Sequence, residues 1–362
     1  MSWKPFWIRL GIRKSKVQGP RSKVLKTLGL VLVALTTTAV PARTAVDVLS
    51  PIGGLPPQLV GRFREAAAFV ETADGRYLVF DRRAQAVFSV DAKKTALTKL
   101  IQIGPSDGEI LQPEAFVLAP DRTFSILDNP GNYQRVQTFY DNGTPLSVFR
   151  RWPAAGDAPR LSIDTSILSG LGPIATTMGR DVLAQVPDGV ALLSRFSADG
   201  RITQQIDQLR ATGHERDARL HQALNAGLPL VAPDGSLYFV FTAGIPMFRK
   251  YTPDGALLFE RHIEGPELDG TIQSLPTEWP TRRVEAREFP NVTSTVRTAA
   301  VDGRGRIWIS LTVPFTYVYD AAGNKVRTVQ FRGAGVISPG SLFFARDGHL
   351  LVTPGCYEFA VN

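Results

Sequence analysis

A turn built on Asp, in most copies with Gly, recurs along the chain and is followed each time by a short apolar strand. Five copies open a strand with an alternating apolar pattern: ADGRYLVFD (73–81), APDRTFSILD (119–128), APDGSLYFVF (232–241), VDGRGRIWIS (301–310) and ARDGHLLVTP (345–354). Four further turns follow one strand later: YDNGTPLSVF (140–149), FSADGRITQQI (196–206), YTPDGALLFE (251–260) and YDAAGNKVRTVQF (319–331). Two hairpins therefore recur in each unit, which predicts a repeat protein built from β-strands.

The spacing of the turns predicts the number of units. The Asp that opens the second strand of a unit falls at five positions: Asp74, Asp121, Asp234, Asp302 and Asp347. A weaker copy, opened by Asp181, fills the double-length gap between the second and third of them. Six units of four strands predict an all-β fold, a six-bladed β-propeller over residues 43–362. The last unit lacks an outermost strand, and the N-terminal strand at 45–49 is predicted to complete it and close the ring.

The first 42 residues are typical of an export signal. They carry eight Lys and Arg residues and no acidic one, ahead of an apolar run at 28–35. Val40, Pro41 and Ala42 then fit a cleavage site. The apolar run is shorter than the roughly 20 residues that span a bilayer. We therefore predict a signal peptide at 1–42 and an exported protein, periplasmic or extracellular, that meets a membrane only if the leader stays uncleaved.

Charge and cysteine content exclude some classes of protein. Removing the eight basic residues of the leader from 41 leaves 33 Lys and Arg, which balance the 33 Asp and Glu of the rest of the chain. A nucleic-acid-binding domain would be expected to keep a basic surface, so nucleic acid is excluded as a partner. Cys356 is the only cysteine, so no disulfide within the chain is possible.

Long connections are predicted to gather on one face. They lie between units, at 151–173, 208–228 and 265–297. Successive units of a propeller are joined across the same face, so these connections should crowd one mouth of the central channel. The second contains a predicted helix at 214–225, with Leu220, Ala223 and Leu224 on one side.

One unit carries a family resemblance. The segment ILDNPGNYQRVQTFYDNGTPLSVF (126–149) resembles an NHL repeat. The matching residues are Asp128, Asn132, Arg135, Val136, Phe139 and Gly143. The resemblance implies a six-bladed propeller of the broad group that contains NHL-repeat proteins, gluconolactonase-like hydrolases and amidating lyases. That group includes both binding scaffolds and enzymes, so it does not select a function.

Glu114 is the main catalytic candidate. It is the only charged residue among those aligned at the start of the innermost strands, which are otherwise Ala67, Gly227, Thr295 and Gly340. With Asp128 and Asn129 nearby, it is predicted either to act as an acid or base or to coordinate a divalent cation. The alternative is a solvated carboxylate at the start of a strand. Gluconolactonase-like enzymes use an inner-strand Glu with Asn and Asp ligands, but the Glu-Gly-Pro context typical of their first ligand is absent at Glu114.

The segment PTEWPTRRVEAREF (276–289) is the main candidate for recognition. Trp279, Arg282, Arg283 and Arg287 are predicted to contact a partner, because aromatic and Arg side chains are enriched in binding hot spots. The alternative is a solvated loop whose Arg and Glu side chains pair with one another.

Two functions follow from these residues. The leading hypothesis is an exported, non-catalytic protein that binds a protein, glycan or peptide through the inter-blade loops on one face, with no cofactor predicted. The alternative is a metal-assisted hydrolase or lyase, similar to a lactonase, with calcium or zinc at the channel mouth. Whether the protein is an enzyme is left open by the sequence.

Overall fold

The computed structural model describes residues 45–152, 160–164, 166–187, 189–284 and 287–361. The predicted signal peptide at 1–42 lies outside these residues. Their secondary structure consists mainly of antiparallel sheets with short helices. None of the helices in these ranges has the length and apolar character needed to cross a membrane.

The first half of the chain contains two complete four-stranded sheets and part of a third. Two short strands and a helical turn come first: β1 (Val46–Leu49), β2 (Pro51–Gly54) and α1 (Pro57–Val60). Sheet 1 contains β3 (Ala66–Glu71), β4 (Tyr77–Asp81), β5 (Ala86–Val90) and β6 (Leu97–Ile101). Sheet 2 contains β7 (Ala115–Leu118), β8 (Thr123–Asp128), β9 (Gln134–Tyr140) and β10 (Pro145–Arg151). A hairpin follows, made of β11 (Arg160–Ile163) and β12 (Ser166–Ser169).

The second half continues the same order. Sheet 3 contains β13 (Ile174–Thr176), β14 (Val182–Ala184), β15 (Ala191–Phe196) and β16 (Ile202–Gln208), followed by α2 (Ala218–Leu224). Sheet 4 contains β17 (Gly227–Val231), β18 (Leu237–Phe241), β19 (Met247–Tyr251) and β20 (Leu257–His262). Next come α3 (Pro266–Gln273), β21 (Thr281–Val284) and β22 (Arg287–Val292). Sheet 5 contains β23 (Val296–Val301), β24 (Ile307–Leu311), β25 (Thr316–Tyr319), β26 (Lys325–Arg332) and β27 (Val336–Ile337). Sheet 6 contains β28 (Ser341–Phe344), β29 (Leu350–Thr353) and β30 (Tyr357–Phe359).

The sheets are packed face to face. The middle strands β8, β18 and β24 are buried at every residue, because each has a neighbouring sheet on both sides. A row of stacked rings, Phe80, Phe116, Phe124 and Phe139, joins sheet 1 to sheet 2 with centroids 5.2–5.5 Å apart. Each fully buried side chain of this size contributes about 1.5–3 kcal/mol. Packing between sheets, rather than any disulfide, therefore holds the fold together.

The inner strands β3, β7, β13, β17, β23 and β28 bring the sheets together in a ring. Contacts join β7 to β13, β13 to β17, β17 to β23, β23 to β28, and β28 back to β3. Sheets 1 and 2 share one hydrophobic cluster. In a propeller the inner strands of all blades run in the same direction along the channel, and we call the side on which they begin the mouth.

The predicted pairing of an N-terminal strand with the last sheet is confirmed, but a different strand forms it. The sequence analysis assigned residues 45–49 to the last sheet. Instead, β2 (Pro51–Gly54) pairs with β30 as its outermost strand, and β1 pairs in parallel with β26 of sheet 5. The reason lies at Gly54, which has φ +150°, and where a Cβ would lie 2.5 Å from the carbonyl oxygen of Cys356. Only glycine fits such close pairing, so the PIGG segment and not VDVL completes sheet 6.

The three long connections form a separate cap. Strands β11 and β12 from the first connection join β21 and β22 from the third in a sheet of order β12-β11-β22-β21, which we call the cap sheet. The predicted helix is present as α2, and its residues Leu220, Ala223 and Leu224 pack against β11 and β22. The three insertions thus share one hydrophobic core, as expected if they lie on one face.

The all-β propeller class is confirmed by this arrangement. Seven sheets are present in the described ranges. Six follow the predicted repeat order, and the seventh is the cap sheet built from the insertions. The assignment of six blades depends on treating the cap sheet as an addition, and it stays a prediction.

Candidate functional site

Glu114 lies at the mouth, directly before β7. Its backbone N–H donates to the carbonyl oxygen of Leu127 at 2.8 Å, which extends the pairing of β7 with β8 by one residue. The residue is exposed, so a small molecule at the mouth can reach it. In the described part of the chain, no basic side chain pairs with its carboxylate.

Two amide side chains hold the Glu114 carboxyl. The Nε2 of Gln134, at the start of β9, donates to Glu114 Oε2 at 3.3 Å. The side chain of Asn129, just after β8, also hydrogen-bonds to this carboxyl. Asn129 is itself fixed by its backbone N–H, which donates to the Leu111 carbonyl at 2.9 Å. Three successive elements of sheet 2 therefore meet at one carboxyl group.

The surroundings of Glu114 change its acidity. Desolvation by the surrounding protein is the largest cause and raises the pKa of the Glu114 carboxyl to about 7, whereas the hydrogen bonds from Asn129 and Gln134 lower it. The residue is exposed, yet its carboxyl is crowded by protein atoms. The net result is a carboxyl that is partly protonated near neutral pH.

Asp128 has a different environment from the one expected for a ligand. Its side chain is fully buried and forms a two-point ion pair with Arg135, at 3.0 and 2.8 Å. Its Oδ2 also accepts from the backbone N–H of Leu111 at 2.9 Å. Arg135, also fully buried, further donates to the carbonyls of Pro105 and Glu109 and to Asp107 Oδ1. These contacts explain the NHL-like Asp and Arg as a structural clamp on the connection between sheets 1 and 2.

The predicted cation ligands do not form a complete set. Asp128 uses both carboxylate oxygens inside the protein, so only Glu114 and Asn129 keep oxygen atoms at the mouth. Calcium usually takes six to eight oxygen ligands. In the ranges that the structure describes, no group of three or more His, Cys, Asp or Glu side chains is placed to hold a metal ion. Asp128 is thus occupied by contacts inside the protein, and metal binding by Glu114, Asp128 and Asn129 stays a prediction.

The recognition candidates lie in the cap. Trp279 is half-buried and packs against the cap core of β11, α2 and β22. Arg282 pairs in register with Phe289, which is buried under the guanidinium of Arg219 at 5.3 Å. Arg283 and Arg287 are exposed. Trp279 thus contributes to packing of the cap, and binding of a partner by this segment stays a prediction.

The sequence pattern located Glu114 and Asn129 but did not indicate Gln134. Aligning the inner strands was enough to find a charged residue in an otherwise uncharged column. Gln134 is 5% exposed and stands at the start of β9, a buried strand with other polar side chains such as Arg135 and Gln137. Its neighbours in the sequence give no sign that its amide reaches a carboxyl 20 residues away.

Comparisons with known proteins agree with the fold. No family model matches the chain, and no curated protein matches it. Among solved structures, a luciferin-regenerating enzyme is 10% identical with a TM-score of 0.50, covering 85% of this chain and 93% of that one. A streptogramin B lyase is 11% identical with a TM-score of 0.48, covering 83% and 95%. A regucalcin from Agrobacterium tumefaciens, described as a calcium-binding protein, is 13% identical with a TM-score of 0.46, covering 85% and 88%.

At these identities the likeness shows the fold alone. The overlap with the luciferin-regenerating enzyme agrees with the propeller fold expected from the resemblance in the sequence. The chain is similar to these propellers in architecture.

Proposed function

We propose that this protein is a hydrolase or lyase that acts on a small molecule at the mouth of the propeller, with Glu114 as the group that transfers the proton. The observation that carries the proposal is the placement of an exposed carboxyl at the start of an inner strand, held by two amides and without a basic partner among the described residues. A carboxylate placed only for folding would be expected to pair with a cation or a backbone donor, as Asp128 does.

The chemistry expected of such a group is general acid or base catalysis. Because the pKa of Glu114 is raised to about 7, both protonation states are populated at neutral pH. The carboxylate can take a proton from a water molecule or from a substrate carbon, and the acid can return it to a leaving oxygen or nitrogen. Asn129 and Gln134 keep the carboxyl in one orientation while leaving the face toward the mouth accessible. A positioned acid or base of this kind typically contributes about 10²- to 10⁴-fold in rate.

The proposal uses no bound cation. The alternative interpretation of the sequence included calcium or zinc; among the described residues, no group of three or more His, Cys, Asp or Glu side chains is placed to hold either. Proton transfer by Glu114 requires no metal, so the reaction class does not depend on this question.

An enzyme accounts for the site better than a non-catalytic binding protein does. The leading hypothesis from the sequence assigned recognition to the cap, where Trp279 turns out to be part of the packing. The solved structure with a TM-score of 0.50 is named as an enzyme, but at 10% identity that likeness shows the fold alone, so the proposal rests on the Glu114 site. Export to the periplasm or outside the cell and the identity of any partner are proposed on the sequence alone.

The test is a substrate screen with matched variants. Purified protein is incubated with a panel of lactones, esters and cyclic amides, and turnover is followed by chromatography coupled to mass spectrometry. The wild type should convert at least one class of compound. Glu114→Gln should lower kcat by about 10²-fold or more, because it keeps the shape of the side chain and removes its proton transfer.

Glu71→Gln is the matched control. Glu71 ends the inner strand β3, at the opposite end from the mouth, and its carboxyl accepts a backbone N–H from Arg346 at 3.3 Å. Its substitution should leave turnover unchanged. Equal activity of Glu114→Gln and wild type would remove the proposal. Binding of glycans or peptides with no turnover anywhere in the panel would restore the non-catalytic function.

A further inference from the structure

The long connection at 151–173, which we call the first insertion, is held at its end by the side chain of Gln134. The side-chain oxygen of Gln134 accepts the backbone N–H of Leu171, and its Nε2 lies 3.5 Å from the carbonyl oxygen of the same residue. Leu171 is fully buried, in the cluster shared by sheets 2 and 3. Gly170 has φ +92°, and a Cβ at this position would overlap the Gln134 amide. The end of the insertion is thus shaped around this one side chain.

The same amide reaches the candidate catalytic group. Gln134 Nε2 is also 3.3 Å from Glu114 Oε2. An amide has one acceptor oxygen and one donor nitrogen, so fixing the oxygen on Leu171 also fixes the direction in which the nitrogen points. The orientation of Glu114 therefore depends on a turn 56 to 57 residues farther along the chain.

We propose that Gln134 is a positioning residue for Glu114, and that it couples the end of the first insertion, at Gly170 and Leu171, to the geometry of the candidate carboxyl. The proposal deepens the proposed function, on which its catalytic meaning rests. The anchoring of the first insertion then determines where the proton-transferring oxygen of Glu114 lies.

Buried amides extend this anchoring toward the second insertion. The backbone N–H of Gly172 lies 3.4 Å from the carbonyl oxygen of Gln185, whose side chain donates to the carbonyl of Asn225 at 2.9 Å. Asn225 ends helix α2 and is fully buried, with its side chain bonded to the backbone of Arg210 and His221. Hydrogen bonds therefore connect the end of the first insertion to Gln134, which contacts the Glu114 carboxyl, and through Gln185 to Asn225 in the second insertion, at 208–228.

The test measures the protonation of Glu114 directly. Protein labelled with ¹³C at the Glu carboxyl is titrated by NMR, and the Glu114 resonance is assigned by its loss in Glu114→Gln. In Gln134→Met the carboxylate loses a donor, so its titration midpoint should rise by about half a pH unit. Gln134→Glu keeps an acceptor for Leu171 N–H and places a second carboxyl beside Glu114. Its upper midpoint should rise by about one pH unit, because the two groups share a proton.

Gln137→Met provides the control for a merely structural effect. Gln137 is on the same strand, is 2% exposed, and bonds through its amide to Gly108 N–H and the Glu109 carbonyl at 2.9 and 2.7 Å. Its loss should leave the Glu114 midpoint unchanged. Gly170→Ala, which displaces the Gln134 amide, should shift the midpoint in the same direction as Gln134→Met.

The outcomes separate this inference from the proposed function, because the titration needs no substrate. If Gln134→Met and Gln134→Glu both titrate as the wild type does, Gln134 does not position Glu114, even if the protein is an active enzyme. If the midpoints shift as expected and no compound is turned over, the positioning stands and the catalytic function falls.

Discussion

Replacing the candidate catalytic carboxyl should stabilise the protein at alkaline pH. Glu114 has an ordinary pKa of 4.5 in an unfolded chain, and desolvation raises the pKa in the folded protein to about 7. Between these two values the folded state holds a proton that the unfolded state has lost. Stability must therefore fall as the pH rises through this window and stay low above it. Glu114→Gln removes the ionisation and with it this penalty.

The size of the effect follows from the shift and from the exposure of the site. A change from 4.5 to about 7 would correspond to roughly 3.4 kcal/mol, at about 1.36 kcal/mol per pH unit. Water reaches Glu114, so solvent screening reduces the penalty, and we expect about 1 kcal/mol at pH 8. At pH 5 the carboxyl is mostly protonated in the folded state, and the difference between variant and wild type should be close to zero.

Urea unfolding at pH 5, 6, 7 and 8 measures this difference. The free energy of unfolding of Glu114→Gln should exceed that of the wild type by an amount that grows with pH and levels off above 7. Gln137→Met, which removes buried hydrogen bonds but no ionisable group, serves as the control and should show no such growth. A Glu114→Gln variant that is less stable than the wild type at pH 8, or a difference that does not change with pH, would refute the reasoning.

Three further predictions concern the scaffold. Arg135→Met should lower the free energy of unfolding by about 3–5 kcal/mol, because it leaves the buried Asp128 carboxylate unpaired, and adding Asp128→Asn should recover part of the loss in urea unfolding. Burial raises the pKa of the Cys356 thiol to about 12, so the native protein should not react with an aromatic disulfide reagent at pH 8. Urea-unfolded protein should release one equivalent of the reagent's thiol. Rapid labelling of the native protein would contradict the buried placement of Cys356. Deleting residues 45–54 removes β1 and β2 and exposes the edges of β26 and β30. The deletion should lower the unfolding temperature and promote association, measured by light scattering. An unchanged melting curve would show that the pairing of β1 and β2 is not needed for stability.

The repeat itself could be read from the sequence because its signals are local. The Asp of each turn and the strand that follows it lie within about ten residues of one another. The strands β4, β8, β18, β24 and β29 are present where this pattern predicted them. The buried side of α2 was visible for the same reason, since Leu220, Ala223 and Leu224 are spaced at helical intervals. The choice between β1 and β2 as the strand that pairs with the last sheet was not visible. It depends on the close approach of Gly54 to Cys356, which no local pattern encodes.

Only part of the candidate site could be predicted from the sequence, because Glu114 departs from a local repeat whereas the groups around it are brought together by packing. Repetition makes a departure conspicuous, so Glu114 could be recognised as the one charged residue in its column. Its altered acidity arises from desolvation and from amides contributed by β9 and the loop after β8, which sequence alignment within one column cannot show. Gln134 is less visible still, because both of its partners, 20 and 37 residues away, are brought to it by the packing of sheets 2 and 3. In a repeat scaffold, a reactive group can therefore be sought among irregular positions of the repeat, whereas the residues that position it must be sought where the insertions meet that scaffold.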